Sequence, residues 1–159
     1  MAVGGSVLQV FVPLVMLANG LSAGVLVGTQ LGGWPLLVTL PPERYVQAHA
    51  FLSTRYDPFM PVCLLGTALG DVLLTVLASS TGPRVLFALA AVFAASTVMI
   101  SIVKNVPINR WIRTMDPDLL PADFADRDPR RSWGAWNQVR TGFAVLALLV
   151  NCAALAALL

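Results

Sequence analysis

Four long apolar stretches dominate the sequence, and they constrain the fold more than any other feature. A helix that crosses a bilayer needs about 20 mostly apolar residues, and the chain of 159 residues contains four runs of that kind. Only 11% of its residues are charged, whereas soluble domains carry about 25%. The sequence therefore predicts an all-α integral membrane protein that forms a single membrane domain over residues 1–159. Its predicted spans are residues 6–29, 58–78, 84–103 and 132–158.

The connections between these runs predict an antiparallel four-helix bundle, because short turns place consecutive helices side by side. Gly32-Gly33-Trp34-Pro35 is expected to break the first helix. Residues 43–56 are too polar to lie in lipid, and a proline such as Pro42 is favoured in the first turn of a helix. We therefore expect an extra interfacial helix over residues 43–56, which enters the second span and covers a site.

Residues inside the spans give three predictions about packing. Gly20 and Gly24 form a small-residue face that is expected to pack closely against a neighbouring helix. Pro107 should bend the end of the third helix and free a backbone carbonyl. Asp71 and Asn151 are either functional groups at membrane depth or a buried polar contact that fixes helix register, and we favour the contact.

Lysine and arginine are concentrated in the 30–57 and 104–131 loops, whereas Arg84 is the one basic residue in the other connection. Because cytoplasmic loops of membrane proteins are enriched in these residues, both loops are predicted to be cytoplasmic and both termini outside. The expected location is the cell membrane, as a multi-pass protein. A net charge of +2 and the lack of a basic run argue against a nucleic-acid partner.

Polar side chains collect where the third span ends and the last one begins. Asn105 and Asn109 are one helical turn apart, and four residues of the last helix share one face. Polar residues at membrane depth usually face a cavity or one another, so we expect these groups to line one pocket. The alternative is that the tryptophans and arginine only anchor the helix at the interface. The four residues of the last helix are Trp133, Trp136, Asn137 and Arg140.

His49 is the single histidine of the chain, and histidine is the side chain whose ordinary pKa lies nearest neutrality. It is the natural candidate for a general base, and helical spacing puts it on one face with Tyr45, Ser53 and Tyr56. Two alternatives stay open, an interfacial histidine without chemistry and an axial ligand of heme. One histidine argues against most metal sites, and Cys63 and Cys152 are expected to be free thiols.

The motif Asn105-Val106-Pro107-Ile108-Asn109, followed by Trp133-x-x-Trp136-Asn137-x-x-Arg140, resembles the DUF1772 family of small four-span membrane proteins. That family includes the anthrone oxygenase-like proteins of polyketide pathways. The segment Arg55-Tyr56-Asp57-Pro58-Phe59-Met60-Pro61 before the second span and the glycine-rich first span are also similar to it. The resemblance therefore covers nearly the whole chain.

The resemblance implies oxidation of a lipophilic, phenol-like aromatic substrate by O2, without a bound metal or flavin. His49 would remove a proton, and Asn137 and Arg140 would stabilise the anion that results, as an oxyanion site does. The residues expected to bind the substrate are Tyr45, Arg55, Tyr56, Asn105, Asn109, Trp133 and Trp136.

Three other functions fit the same sequence pattern. A cyclase of a biosynthetic pathway would need a similar pocket and the same acid–base groups. A non-catalytic membrane module could bind a quinone or heme, and a structural subunit of a membrane complex would need no pocket at all. The sequence also leaves open whether the chain forms a homo-oligomer in the bilayer.

Overall fold

The computed structural model describes residues 2–158, and this part of the chain is helical with no β-strand. The prediction of an all-α membrane protein is confirmed. Two π-helical turns, Thr29–Gly33 and Ser101–Asn105, interrupt the α-helices. The α-helices are α1 (Ala2–Gly28), α2 (Trp34–Thr39), α3 (Pro42–Arg55), α4 (Phe59–Leu77), α5 (Thr81–Ile100), α6 (Val106–Arg113), α7 (Phe124–Arg127) and α8 (Arg130–Ala156).

Four helical segments are long and apolar enough to cross a membrane, counted over the described residues. Each runs for at least 19 residues, which at 1.5 Å per residue approaches or exceeds the thickness of a bilayer's hydrocarbon core, about 30 Å. Four spans with an extra helix between the first two match the predicted architecture. The segments are Val7–Thr39, Phe59–Leu77, Thr81–Arg113 and Phe124–Ala156.

The long helices form an antiparallel four-helix bundle in which α1 and α5 lie on opposite corners. α1 packs against α4 and α8, and α5 packs against the same two helices. The buried stripe of α1 shows the spacing that produces this packing, because its members recur every three or four residues along one face. They are Val12, Val15, Asn19, Ser22, Ala23 and Leu26.

Gly20 and Gly24 lie beside this stripe rather than on it, so the prediction that they pack against another helix of the chain is wrong. A methyl group placed on either residue would meet no atom within 4 Å. The close approach of α1 to a neighbour instead occurs at Gly70 of α4, where a Cβ atom would collide with the side chain of Val15.

Asp71 and Asn151 make the buried polar contact that the sequence suggested, and Asn19 joins them from α1. Asn151 Nδ2 donates hydrogen bonds to Asp71 Oδ2 at 3.3 Å and to Asn19 Oδ1 at 3.2 Å. All three side chains are 2% exposed or less. Because buried amides and carboxylates need partners, the contact holds α1, α4 and α8 in one register.

The first helix was predicted to end at Gly32-Gly33-Trp34-Pro35, and this prediction is wrong. The helix continues to Thr39. A π-helical turn over Thr29–Gly33 precedes Pro35, which then occupies the first turn of α2. In this turn the Trp34 N–H bonds to the carbonyl of Thr29, five residues back. Proline lacks an N–H group, and its ring would clash with the preceding turn of a regular α-helix. The wider π-helical turn makes room for the ring, so the helix continues beyond Pro35.

The third helix also contains a π-helical turn before a proline, Pro107. It extends to Arg113 instead of ending near residue 103. Its π-helical turn, Ser101–Asn105, ends two residues before the proline. Both prolines therefore follow a wide turn, and both helices run on beyond their predicted ends. α5 also begins earlier than expected, at Thr81.

α3 is the predicted interfacial helix, and it packs against α2 and α6 at one end of the bundle. Its buried face carries Tyr45, Val46 and His49. Arg130 of α8 connects α8 to α3 and to the residue that follows α2. Its Nη1 donates to the carbonyl of Leu40 at 2.6 Å, and its guanidinium lies 4.5 Å from the Tyr45 ring centre.

Candidate functional site

A cavity of about 450 Å³ lies at the α3 end of the bundle. Helices α1, α2, α4, α5, α6 and α8 and both π-helical turns contribute to its wall. α3 covers it with His49, Leu52 and Ser53, and Tyr56 follows just beyond the end of this helix. The wall is mainly apolar, with side chains such as Leu26, Met60 and Val98. Small-molecule binding sites commonly have an apolar wall with a few polar groups at fixed positions.

Three side chains from three helices form a hydrogen-bonded group in the cavity wall. Asn109 Oδ1 lies 2.9 Å from His49 Nε2 and 2.8 Å from Trp133 Nε1. His49 comes from α3, Asn109 from α6 and Trp133 from α8. The group therefore assembles only when the interfacial helix sits on the bundle.

The His49 ring is 2% exposed and lies between two aromatic side chains. Its centre is 5.3 Å from that of Tyr45 and 5.0 Å from that of Trp133, and both contacts are edge-to-face. Burial lowers the pKa of His49 below its ordinary value, and the hydrogen bond with Asn109 opposes this shift only in part. His49 is therefore neutral at pH 7, which is the form that can accept a proton.

Arg140 brings a positive charge to the cavity wall. Its Nε and Nη2 donate to Asn137 Oδ1 at 3.0 and 2.7 Å, and its Nη1 donates to Ser101 Oγ at 3.1 Å. Asn137 is itself oriented by Gln30, whose Oε1 accepts from Asn137 Nδ2 at 2.7 Å. Among the described residues no carboxylate pairs with Arg140.

The uncompensated guanidinium makes this end of the cavity suited to an anion. Three of its five N–H groups are used by neutral oxygens, so two remain for a further acceptor. A cation held among apolar helices favours any negative charge that develops beside it, because the local dielectric constant is low.

Both π-helical turns contribute to the cavity wall, through Thr29 and Gly33 on one side and Ser101 and Ile102 on the other. π-Helical turns inside α-helices often mark functional sites. Here one of them presents Ser101 to Arg140, and the other brings Gln30 to Asn137.

Five of the ten residues predicted for the site line the cavity, and five lie behind or outside its wall. Asn105 donates to the backbone carbonyl of Trp133 at 3.1 Å, and Asn137 holds Arg140 from behind. Tyr45 is buried beneath Arg130 and supports His49. The lining residues are His49, Tyr56, Asn109, Trp133 and Arg140.

Arg55 and Trp136 take part in cation–aromatic contacts that are not part of the cavity wall. The Arg55 guanidinium sits 4.3 Å from the ring centre of Phe51, and the Lys104 ammonium sits 4.9 Å from that of Trp136. Neither Arg55 nor Trp136 belongs to the cavity wall. These pairings resemble the cation and aromatic contacts of a membrane interface.

Gln30 and Ser101 take part in the polar network although sequence reasoning did not select them. Each lies in a segment with few polar residues, Gln30 between Thr29 and Leu31 and Ser101 between Ile100 and Ile102. An isolated glutamine or serine in a span is itself a signal, because it needs a hydrogen-bond partner in lipid. No three His, Cys, Asp or Glu side chains come together as a metal site in the part of the chain that the structure describes.

The fold and the cavity define a small four-span membrane protein with a polar-capped, apolar pocket at one end of its bundle. The family model described as anthrone oxygenase matches residues 50–150. The chain therefore belongs to the anthrone oxygenase family, DUF1772, as its motifs indicated. No match is found among curated proteins or among solved structures.

Proposed function

We propose that the protein is a membrane-embedded oxygenase that oxidises a lipophilic aromatic metabolite with O2, in the manner that the family's name describes for anthrones. The observation that carries the proposal is the pairing of a neutral, buried histidine with an unpaired arginine in one apolar cavity. A base and an anion-stabilising group are what the oxidation of an acidic C–H group requires.

The reaction begins when His49 removes a proton from the methylene group of the anthrone. The electron pair left on carbon is delocalised through the central ring onto the carbonyl oxygen, where the Arg140 guanidinium stabilises the negative charge. The carbanion then reduces O2, and a new C–O bond forms to give a peroxide anion, which takes the proton back from His49. Loss of water from the hydroperoxide leaves a carbonyl, so one O2 is consumed and one water is released for each substrate.

The volume and the apolar lining of the cavity support a lipophilic aromatic substrate that carries a few polar groups. A volume of about 450 Å³ falls within the range of small-molecule pockets, about 300–1,000 Å³. The apolar wall would hold the ring system, while Arg140 contacts the oxygen-bearing edge of the substrate and His49 contacts its methylene group. A substrate that partitions into lipid would reach this end of the bundle from the bilayer.

Oxygen uptake by the reconstituted protein tests this proposal. Protein in liposomes is given 1,8-dihydroxyanthrone, and O2 consumption and quinone formation are followed together against liposomes without protein, which report the spontaneous oxidation. We expect equal amounts of O2 consumed and quinone formed, at a rate well above the spontaneous one. With ¹⁸O2, one labelled oxygen should appear in the new carbonyl.

A rate equal to that of protein-free liposomes would contradict an oxygenase that acts on anthrones. A cyclase, the alternative that uses similar acid–base groups, would leave 1,8-dihydroxyanthrone unchanged because its three rings are already closed.

A further inference from the structure

The hydrogen-bonded group of His49, Asn109 and Trp133 determines which ring nitrogen of His49 carries the proton. The indole Nε1–H of Trp133 can only donate a hydrogen bond, and it points at Asn109 Oδ1 from 2.8 Å. This contact fixes the orientation of the Asn109 amide, because the rotated amide would place its own N–H2 group against the indole N–H.

The oriented amide then dictates the state of the imidazole. The oxygen that accepts from Trp133 is also 2.9 Å from His49 Nε2. An amide oxygen accepts hydrogen bonds and cannot donate them, so Nε2 must carry the hydrogen. In neutral His49 the lone pair therefore lies on Nδ1, which is buried and has no hydrogen-bond partner among the described residues.

We infer that Asn109 is a positioning residue that holds His49 as the Nε2–H tautomer and leaves Nδ1 as the atom that accepts the proton. This inference rests on the proposed function, and it changes the role predicted for Asn109 from substrate binding to orientation of the base. Trp133 acts one step further back, because its N–H keeps the Asn109 oxygen turned toward His49.

The burial of Nδ1 has a chemical consequence for the reaction. Because Nδ1 is shielded from water, it can accept a proton only from a substrate in direct contact with the imidazole ring. Such contacts commonly tighten when the substrate binds. The neutral Asn109 amide stabilises the imidazolium less than a carboxylate would. His49 can therefore receive the substrate proton and return it to the peroxide within one turnover.

Nitrogen-15 NMR of protein labelled only in histidine measures the tautomer directly. The chain has one histidine, so the two ring nitrogens give one pair of signals without overlap. At pH 8 we expect a protonated Nε2 and a bare Nδ1. A proton on Nδ1, or an even mixture of tautomers, in the unaltered protein would overturn the inference.

Two substitutions separate positioning from binding. Asn109→Leu removes the acceptor, so the Nδ1–H tautomer should appear and kcat should fall by about 10²-fold, as misplacement of a catalytic group does, while KM changes less than threefold. Trp133→Phe frees the amide to rotate and should also mix the tautomers. Trp111→Phe is the matched control, because this ring stacks on Phe124, 6.2 Å away, rather than on His49.

A single tautomer and an unchanged kcat in Asn109→Leu would overturn the role of Asn109, and a change confined to KM would return it to substrate binding. The tautomer is read without substrate, so failure of the oxygenase proposal leaves this test intact. Conversely, a protein that shows the expected tautomer but no oxygen uptake would support the positioning role of Asn109 and contradict the oxygenase function.

Asn109→Asp provides a rescue, because its carboxylate also accepts from Nε2–H and should preserve the tautomer. Its negative charge stabilises the imidazolium, so the acidic limb of the kcat/KM profile should move to higher pH. An unmoved limb would show that residue 109 does not act through His49. The other titratable or charged side chains around the ring and the cavity, which this substitution leaves in place, are Tyr45, Tyr56, Asp57, Arg130 and Arg140.

Discussion

Arg140 illustrates how a single charge directs the chemistry of an apolar cavity. Its partners Asn137 and Ser101 are neutral, so the guanidinium keeps its full charge for the substrate. Arg140→Gln should lower kcat by about 10²–10³-fold, the usual loss when one group that stabilises an oxyanion is removed. The measurement is steady-state oxygen uptake, with thermal unfolding as a check on the fold.

Lys104→Gln is the matched control, because this cation contacts Trp136 outside the cavity. Equal losses in the two variants would mean that overall charge, rather than the position of Arg140, determines the rate.

The pKa of His49 gives a prediction about pH. Because burial lowers the pKa from the ordinary 6.5, the folded protein prefers neutral histidine and the unfolded chain binds more protons just below 6.5. Stability conferred by this residue is therefore complete above pH 6.5 and is lost progressively as the pH falls toward the folded pKa. In His49→Gln, the unfolding free energy should lose that part of its pH dependence.

The pH dependence of activity should also report the protonation state of His49. The kcat/KM profile should be level near pH 7 and fall on the acidic side with a midpoint below 6.5, since only neutral His49 accepts a proton. A midpoint above 6.5 would mean that a negative charge outweighs burial at the ring.

Sequence reasoning at the level of residues found the groups that carry chemistry but not all of their roles. His49, Asn109 and Arg140 stand out because polar groups are costly at membrane depth. Whether an asparagine faces the cavity or a neighbouring side chain depends on helix rotation within a fraction of a turn, which periodicity does not resolve. Asn105 and Asn137 therefore lie behind the wall that they were predicted to line.

Helix α8 packs closely against the Trp34 side chain of α2 at Gly134. A Cβ atom there would collide with the Trp34 ring, which also lies 6.2 Å from the Trp133 ring. Gly134→Ala should destabilise the protein by about 1–3 kcal/mol, the usual cost of overpacking, and should disturb the cavity wall through Trp133. Thermal or denaturant unfolding in detergent measures the loss.

Gly142→Ala on the same helix is the control, because a Cβ atom there meets nothing within 4 Å. It should leave stability unchanged or raise it by up to about 1 kcal/mol, since alanine favours the helix. Similar destabilisation by both substitutions would show that helix propensity rather than close packing explains the effect.

Length and hydropathy were sufficient to predict the four long helices and α3, but not where the first and third helices end. Gly32-Gly33-Trp34-Pro35 has the composition of a break, yet the chain passes it through a π-helical turn. Such turns depend on packing against neighbouring helices, so local composition does not specify them. The Gly20 and Gly24 prediction failed for a related reason, because a small-residue face does not reveal whether a helix or lipid lies beside it.

The distribution of lysine and arginine leads us to propose that the α3 end of the bundle faces the cytoplasm and both termini lie outside. Cysteine labelling tests this orientation. Cys63 and Cys152 are free thiols, so both are first replaced by serine, and a single cysteine is then introduced as Leu120→Cys in the loop after α6.

This cysteine should react with a membrane-impermeant maleimide only after the cells are opened. A cysteine appended at the N-terminus should react in intact cells. The reverse pattern would place the cavity on the outer side of the membrane.

If His49 acts as the base of an oxidation by O2 that needs no metal, turnover should depend on its imidazole, and His49→Ala measures that dependence. Oxygen uptake with 1,8-dihydroxyanthrone is compared for the unaltered protein and the variant, each before and after treatment with a chelator. We expect the variant to fold and to lose about 10²–10⁴-fold in kcat, the usual share of a general base, and chelation to change neither rate. Normal turnover by His49→Ala, or activity that a chelator abolishes and iron or copper restores, would contradict this account.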